Sequence, residues 1–192
     1  FNAPDWFKMA MIPTHNLDGE LWVGRENFQE MGVVRKKTPV PEEWLNVKYV
    51  VYDLPEYQGG FKKRIEVLKE LVRLNNFRWD AVKQTLPEPF CNIESPLIMA
   101  DQIEIKSMSQ FKDLYNKLVS EGAEGVMIKH PNSLYEDKRS NYLLKYKPNF
   151  DAEAIIMDYS NGKGKYSGML GGFVCKPLIN HDTFHSIDNN KN

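Results

Sequence analysis

Apolar and polar positions alternate with a period of two in several short runs of this chain, and with a helical period in two longer ones. Residues 17–23, LDGELWV, read as a turn at Asp18 and Gly19 leading into a strand. Glu20 and Trp22 share one face of it, and Leu21 and Val23 the other. Residues 47–54, VKYVVYDL, form the most strand-like run, β-branched and aromatic, and are expected to be buried on both faces. A helix is predicted over residues 61–75, with Ile65, Leu68, Leu71 and Val72 as its apolar stripe. Residues 77–97 are broken by prolines and read as irregular. Ile103 and Ile105 alternate with Glu104 and Lys106, which predicts a half-buried strand. A second helix runs from an N-cap at Ser109 to a stop at Gly122, with Phe111, Leu114, Tyr115, Leu118 and Val119 on its apolar face.

Two short strands follow, EGVMIK at 124–129 and YLLKYK at 142–147. Alternation puts Leu144 and Tyr146 on one face of the second, and Leu143, Lys145 and Lys147 on the other. Beyond Pro148 and Asn149 the character changes. AEAIIMDY and LGGFVC read as strands around a basic glycine loop, NGKGKYSG, and the tail HDTFHSIDNNKN has no periodicity. A domain boundary is placed near Phe150, giving a domain over 1–150 and a second unit over 151–192. About 40 residues cannot bury a core alone, so the second unit is either an extension of the first or the opening strands of another domain.

Composition narrows the classes. The formal net charge of -1 over 192 residues provides no global basic field, so any nucleic-acid contact must rest on a local surface. No apolar run approaches the ~18 residues that span a bilayer. Phe1 is not an initiator methionine, and N-terminal targeting cannot be read. Cys91 and Cys175 stand in no metal-ligand spacing, which disfavours zinc and makes a reducing compartment the default. His15, His130, His181 and His185 show no triad or ligand pattern. There is no GxGxxG, GxxxxGK[ST] or GxSxG, against dinucleotide-binding, P-loop and serine-hydrolase readings.

The candidate chemistry lies in the strands. Lys145 and Lys147 on one face make a two-pronged phosphate site if that face lines a cleft, and are ordinary surface lysines if it meets solvent. Glu124 is the nearby candidate for a divalent metal. Glu20 is either a strand-edge carboxylate or functional, and Tyr52 is either core or functional. Asp53 is expected to satisfy a backbone group. Lys163 and Lys165 sit in a loop that reads as a hairpin turn or as a contact to a phosphate backbone.

The runs LDGELW, YVVYDL, EGVMIK and LLKYKPNFDAEA, in that order, resemble the motifs of the ATP-dependent DNA ligase family of covalent nucleotidyltransferases. The flanking runs LWVGRENFQ, GGFKKR, SLYEDKRSNYLLK and GKGKYSGMLGG look like the small ligases of bacteria and some viruses. The resemblance implies an α+β fold: an antiparallel-sheet nucleotidyltransferase domain, ATP-grasp-like, followed by the start of an OB-fold β-barrel. It implies that Glu20 fixes the AMP ribose and the lysine–AMP linkage, Tyr52 stacks on adenine, Glu124 binds Mg²⁺, and Lys145 and Lys147 contact the adenylate phosphate. Arg139 matches an arginine near the nick phosphate. ATP and Mg²⁺ are the implied cofactors, with AMP as the covalent intermediate, and nicked duplex DNA is the implied partner of an intracellular monomer, cytoplasmic or nuclear, with no membrane attachment. The family's nucleophile is the lysine of a KxDG motif, and this chain has none, since Asn16 stands at that place in NLDG. The expectation is therefore the middle of a ligase, inactive alone. RNA ligase, mRNA-capping guanylyltransferase and a non-catalytic nucleic-acid-binding fragment remain alternatives.

Overall fold

The computed structural model describes residues 1–25, 27–149 and 152–178. The described residues of Phe1–Lys147 form one compact unit, and the described residues from Pro148 to Leu178 form another.

In the first unit, three strands make a small mixed sheet. β1 (Asp18–Trp22) runs antiparallel to β2 (Lys48–Asp53), and β3 (Leu97–Met99) lies parallel on the far side of β2. Asp18 and Gly19 lie inside β1 rather than in a turn before it. The register slips between them, and a Cβ on Gly19 would stand 2.6 Å from the Val50 carbonyl oxygen. The glycine therefore serves a close approach between strands. β2 is buried on one face only. Val51 and Asp53 point inward, while Tyr52 between them is 38% exposed.

The helix α2 (Phe61–Val82) covers the inner face. It continues past the predicted end at Asn75 because its buried stripe is Arg64, Leu68, Val72, Asn75 and Trp79, at steps of four, four, three and four. Leu68 and Val72 pack with Ile12, Val51, Leu54 and Leu97. Trp79 joins a second core with Trp6, Phe7, Ala10, Val34, Trp44, Val47 and Phe90. The pair Trp6 and Phe7 is buried on a short helix, α1 (Asp5–Met9). The Arg78 guanidinium donates to the carbonyls of Met9 and Met11, and Asn75 to that of Ala10, so α2 also satisfies the end of α1. The region expected to be irregular thus holds the last turns of α2 and two 3-10 turns, and runs into β3 at Leu97.

Residues 101–106 are not a strand. They pair with no described strand, and Gln110 engages their backbone instead, accepting from Lys106 N–H at 2.8 Å. Ile103 and Ile105 stay exposed. The helix α3 (Met108–Ser120) is capped by Ser107, whose hydroxyl accepts from Gln110 N–H at 3.1 Å, two residues ahead of the predicted cap. α3 lays Phe111 and Tyr115 on Tyr146, with ring centroids 5.3 and 4.8 Å away. That contact sorts the faces of β5 (Leu143–Tyr146), which pairs antiparallel with β4 (Val126–Lys129). Tyr146 faces the helix, and Lys145, by alternation, faces away.

In the second unit, β6 (Ala154–Asn161) and β7 (Leu170–Pro177) form an antiparallel pair, closed by Gly162 N–H on the Met169 carbonyl. The described residues of this unit hold two strands, which do not by themselves define a barrel. Phe150, His181 and His185 lie outside the described residues, as does the C-terminal tail.

Candidate functional site

The β1–β2 pair and the β4–β5 pair each gather the residues singled out from sequence. On β1, an edge strand, Glu20 stands opposite Val50, so it lies diagonally from Tyr52 on the same outward face. Asp18 joins them. Burial, then the charges of Asp18 and Glu20, push the Tyr52 hydroxyl up to about 12. A phenolate beside two carboxylates is disfavoured, so Tyr52 presents a neutral ring. Tyr135 approaches the same carboxylate and donates to Asp18 Oδ2 at 2.9 Å. Its own hydroxyl is also pushed up to about 12, by burial first and then by the Asp18 bond.

On the second pair, Lys145 Nζ lies 3.2 Å from Glu124 Oε2. Both side chains are exposed, so this contact contributes little stability. Its interest is that it draws together an anion and a cation 21 residues apart in sequence. Gly125 makes the approach possible. Its φ is +152°, and a Cβ there would stand 2.3 Å from the Tyr146 carbonyl oxygen and 2.8 Å from Lys147 Cα. Glu124 thus meets Lys145, and its neighbour Gly125 packs against the backbone of Lys147, which is exposed just past the end of β5.

No group of three or more His, Cys, Asp or Glu side chains gathers for a metal among the described residues. Glu124 is a single carboxylate, so it could hold a magnesium ion only together with other oxygen donors such as phosphate oxygens. Arg139 is exposed in the segment between β4 and β5. Lys163 and Lys165 are exposed in the second unit, Lys165 lying 4.9 Å from the centroid of the Tyr166 ring.

Beneath the β1–β2 pair lies a buried ionic cluster that the sequence reading largely missed. Asp53 accepts Leu54 N–H at 2.8 Å, the backbone role expected of it, but also accepts Arg64 Nε at 2.6 Å, Arg64 Nη2 at 3.1 Å, and Lys129 Nζ. Arg64 and Asp53 are fully buried. Burial opposes ionisation of Asp53, yet the bonds from Arg64, Lys129 and Leu54 outweigh it and hold its carboxyl below the usual carboxylate range. The signal was present in the helix: Arg64 lies four residues before Leu68, on the inward stripe.

A sequence profile of the family described as the ATP dependent DNA ligase domain matches residues 10–147. The chain is 26% identical over 174 residues to a DNA ligase of Haemophilus influenzae, covering 91% of this chain and 58% of that protein. It is 28% identical over 163 residues to a DNA ligase of African swine fever virus, covering 80% of this chain and 34% of the relative. Among solved structures, a Lig E DNA ligase matches with a TM-score of 0.70 and 28% identity over 92% of this chain and 63% of that one. The Chlorella virus DNA ligase–adenylate shares the fold, with a TM-score of 0.56 at 20% identity, over 81% of this chain and 54% of that one. The chain thus spans about three-fifths or less of each of these proteins.

Proposed function

The chain belongs to the ATP-dependent DNA ligase family, and on that premise we propose that the full-length protein seals nicks in duplex DNA through a lysine-bound adenylate. A lysine amine attacks the α-phosphorus of ATP, the bond to pyrophosphate breaks, and AMP stays on the enzyme. The 5′-phosphate at the nick then takes the AMP and frees the lysine. The 3′-hydroxyl finally attacks that phosphate and AMP leaves as the strand is joined. Little covalent chemistry falls to the other residues, which position groups and neutralise charge.

The placement of these residues supports a proposed role for each. Tyr52, neutral and outward, stacks on adenine. Glu20, diagonal to it, holds the ribose. Lys145 and Lys147 bind the phosphate that is transferred, where cations count most as charge builds. Glu124 holds Mg²⁺, which supplies further neutralisation of the phosphate oxygens. Arg139, Lys163 and Lys165 contact DNA phosphates, so affinity for DNA falls steeply with salt. The second unit is proposed to begin an OB-fold domain after a boundary near Phe150. The protein is proposed to be an intracellular monomer; no described helix is long and apolar enough to cross a membrane.

The observation that carries this reading is the Glu124–Lys145 pair at 3.2 Å, with Gly125 letting the backbone close on Lys147. RNA ligation and mRNA capping draw no support from the relatives above, each named a DNA ligase. The test uses ATP labelled at the α-phosphate. The full-length protein should acquire covalent label and lose it on nicked DNA as the nick closes, whereas this chain, without a KxDG motif, should stay unlabelled. Lys147→Ala in the full-length protein should slow labelling roughly 30- to 1000-fold, the loss of one charge-stabilising contact. Preferential labelling from GTP, or nicks left open, would refute the proposal.

A further inference from the structure

Asp53 is already matched by Arg64. The guanidinium meets both carboxylate oxygens, at 2.6 and 3.1 Å, and its Nη1 donates to the carbonyls of Gly59 at 2.7 Å and Ser133 at 2.9 Å. A buried carboxylate with a two-pronged arginine and a backbone N–H needs no second cation. Lys129 nevertheless bonds Asp53 from 76 residues away, with its side chain only 16% exposed. Its ammonium lies 4.7 Å from the centroid of the Phe61 ring and 5.7 Å from that of Tyr135, faces that accept the surplus positive charge. The cluster holds one anion and two cations, so neutralising Asp53 does not explain Lys129.

Its position does. Lys129 ends β4, the strand that follows Glu124 and pairs with the strand of Lys145. Asp53 ends β2, next to Tyr52. The bond joins the two sheets at one point, and other bonds run along the same seam: Lys62 N–H to the Pro131 carbonyl at 2.8 Å, Arg64 to the Ser133 carbonyl, and Tyr135 to Asp18. Taking these sheets as the nucleotide site proposed above, we propose that Lys129 is a positioning residue. Through Asp53 it fixes the sheet of Glu124 and Lys145 against the sheet of Glu20 and Tyr52, so that one nucleotide meets its base contacts and its phosphate contacts together.

The consequence is specific. Adenosine uses only the β1–β2 contacts, and inorganic tripolyphosphate only the β4–β5 contacts. ATP joins the two halves, and gains affinity from the linkage only while the two subsites keep the right spacing. Loosening the seam removes that gain and leaves each half-ligand as it was.

The experiment measures binding of ATP, adenosine and tripolyphosphate by calorimetry to the full-length protein, its Lys129→Met variant and its Lys129→Arg variant, alongside thermal melting. Lys129→Met should weaken ATP roughly 10- to 100-fold while changing adenosine and tripolyphosphate by less than about twofold, since only the linkage is lost. Lys129→Arg, which keeps a cation in reach of Asp53, should restore most of the ATP affinity. Unchanged ATP binding in Lys129→Met overturns the proposal. A parallel loss of tripolyphosphate makes Lys129 a phosphate ligand instead, and a parallel loss of adenosine makes it a support of β2 alone; either overturns it. If neither variant folds, Lys129 is a stability residue and the proposal falls. A wild-type protein that binds none of the three ligands defeats the nucleotide reading itself, an outcome separate from a wild type that binds ATP and a variant that binds it equally well.

Discussion

Replacing Arg64 by leucine removes the group that joins α2, β2 and the segment after β4. Four hydrogen bonds go with it: two to Asp53, one to Gly59 and one to Ser133. Asp53 is left fully buried with a backbone N–H and a single ammonium. Breaking a buried pair by deleting one partner costs about 3–5 kcal/mol, here because Asp53 loses its two-pronged partner and keeps only Lys129 and the Leu54 N–H, while the Gly59 and Ser133 carbonyls lose their donor. Against a domain stability on the order of 5–15 kcal/mol, that is a large fraction. Urea unfolding followed by tryptophan fluorescence suits the measurement, since Trp6, Trp44 and Trp79 are buried in the same unit. The double replacement Asp53→Leu with Arg64→Leu should cost less than the sum of the singles by about 2 kcal/mol, since no buried anion remains. Acid sharpens the test. The Asp53 carboxyl is held low in the folded protein, so its contribution is present above the unfolded carboxyl value of about 3.9 and is lost as pH falls through the lower folded value. Without Arg64, that loss should begin at higher pH. An Arg64→Leu protein within about 1 kcal/mol of wild type, or singles that add within about 0.5 kcal/mol, would refute the reasoning.

Tyr52→Ala in the full-length protein should weaken ATP binding by about 1–3 kcal/mol, the worth of a base–aromatic stack, while Tyr52→Phe stays close to wild type. A sharp fall in melting temperature with nucleotide affinity unchanged would instead make Tyr52 a core residue, an outcome its 38% exposure argues against. Titration of tyrosine absorbance should show Tyr52 and Tyr135 ionising at about 12, after tyrosines near the ordinary value of about 10. The neutral phenol is the form the fold favours, so this contribution is complete below pH 10 and declines between about 10 and 12. Absence of the late fraction, or its persistence when both are changed to phenylalanine, would count against the Asp18 cluster.

Sequence alone determined the local alphabet of this protein. The period-two runs around Glu20, Tyr52, Val126 and Leu144 became β1, β2, β4 and β5, because alternation is imposed by the backbone and needs no partner to be visible. The separation of Tyr146 from Lys145 was legible for the same reason. The family too was legible, since four motifs in order are a property of the chain. Tertiary structure decided what alternation cannot. Residues 101–106 alternate as well as any strand, yet they pair with no described strand, and Gln110 bonds their backbone instead. The helix ran on past Asn75 because Trp79 found a core assembled from distant segments. The Asp53–Arg64–Lys129 cluster was out of reach for the same reason. A buried charge is tolerated only where its partners converge, and these three converge from strand, helix and strand across 76 residues. Sequence shows which residues carry charge; only packing decides which of those charges leave water together.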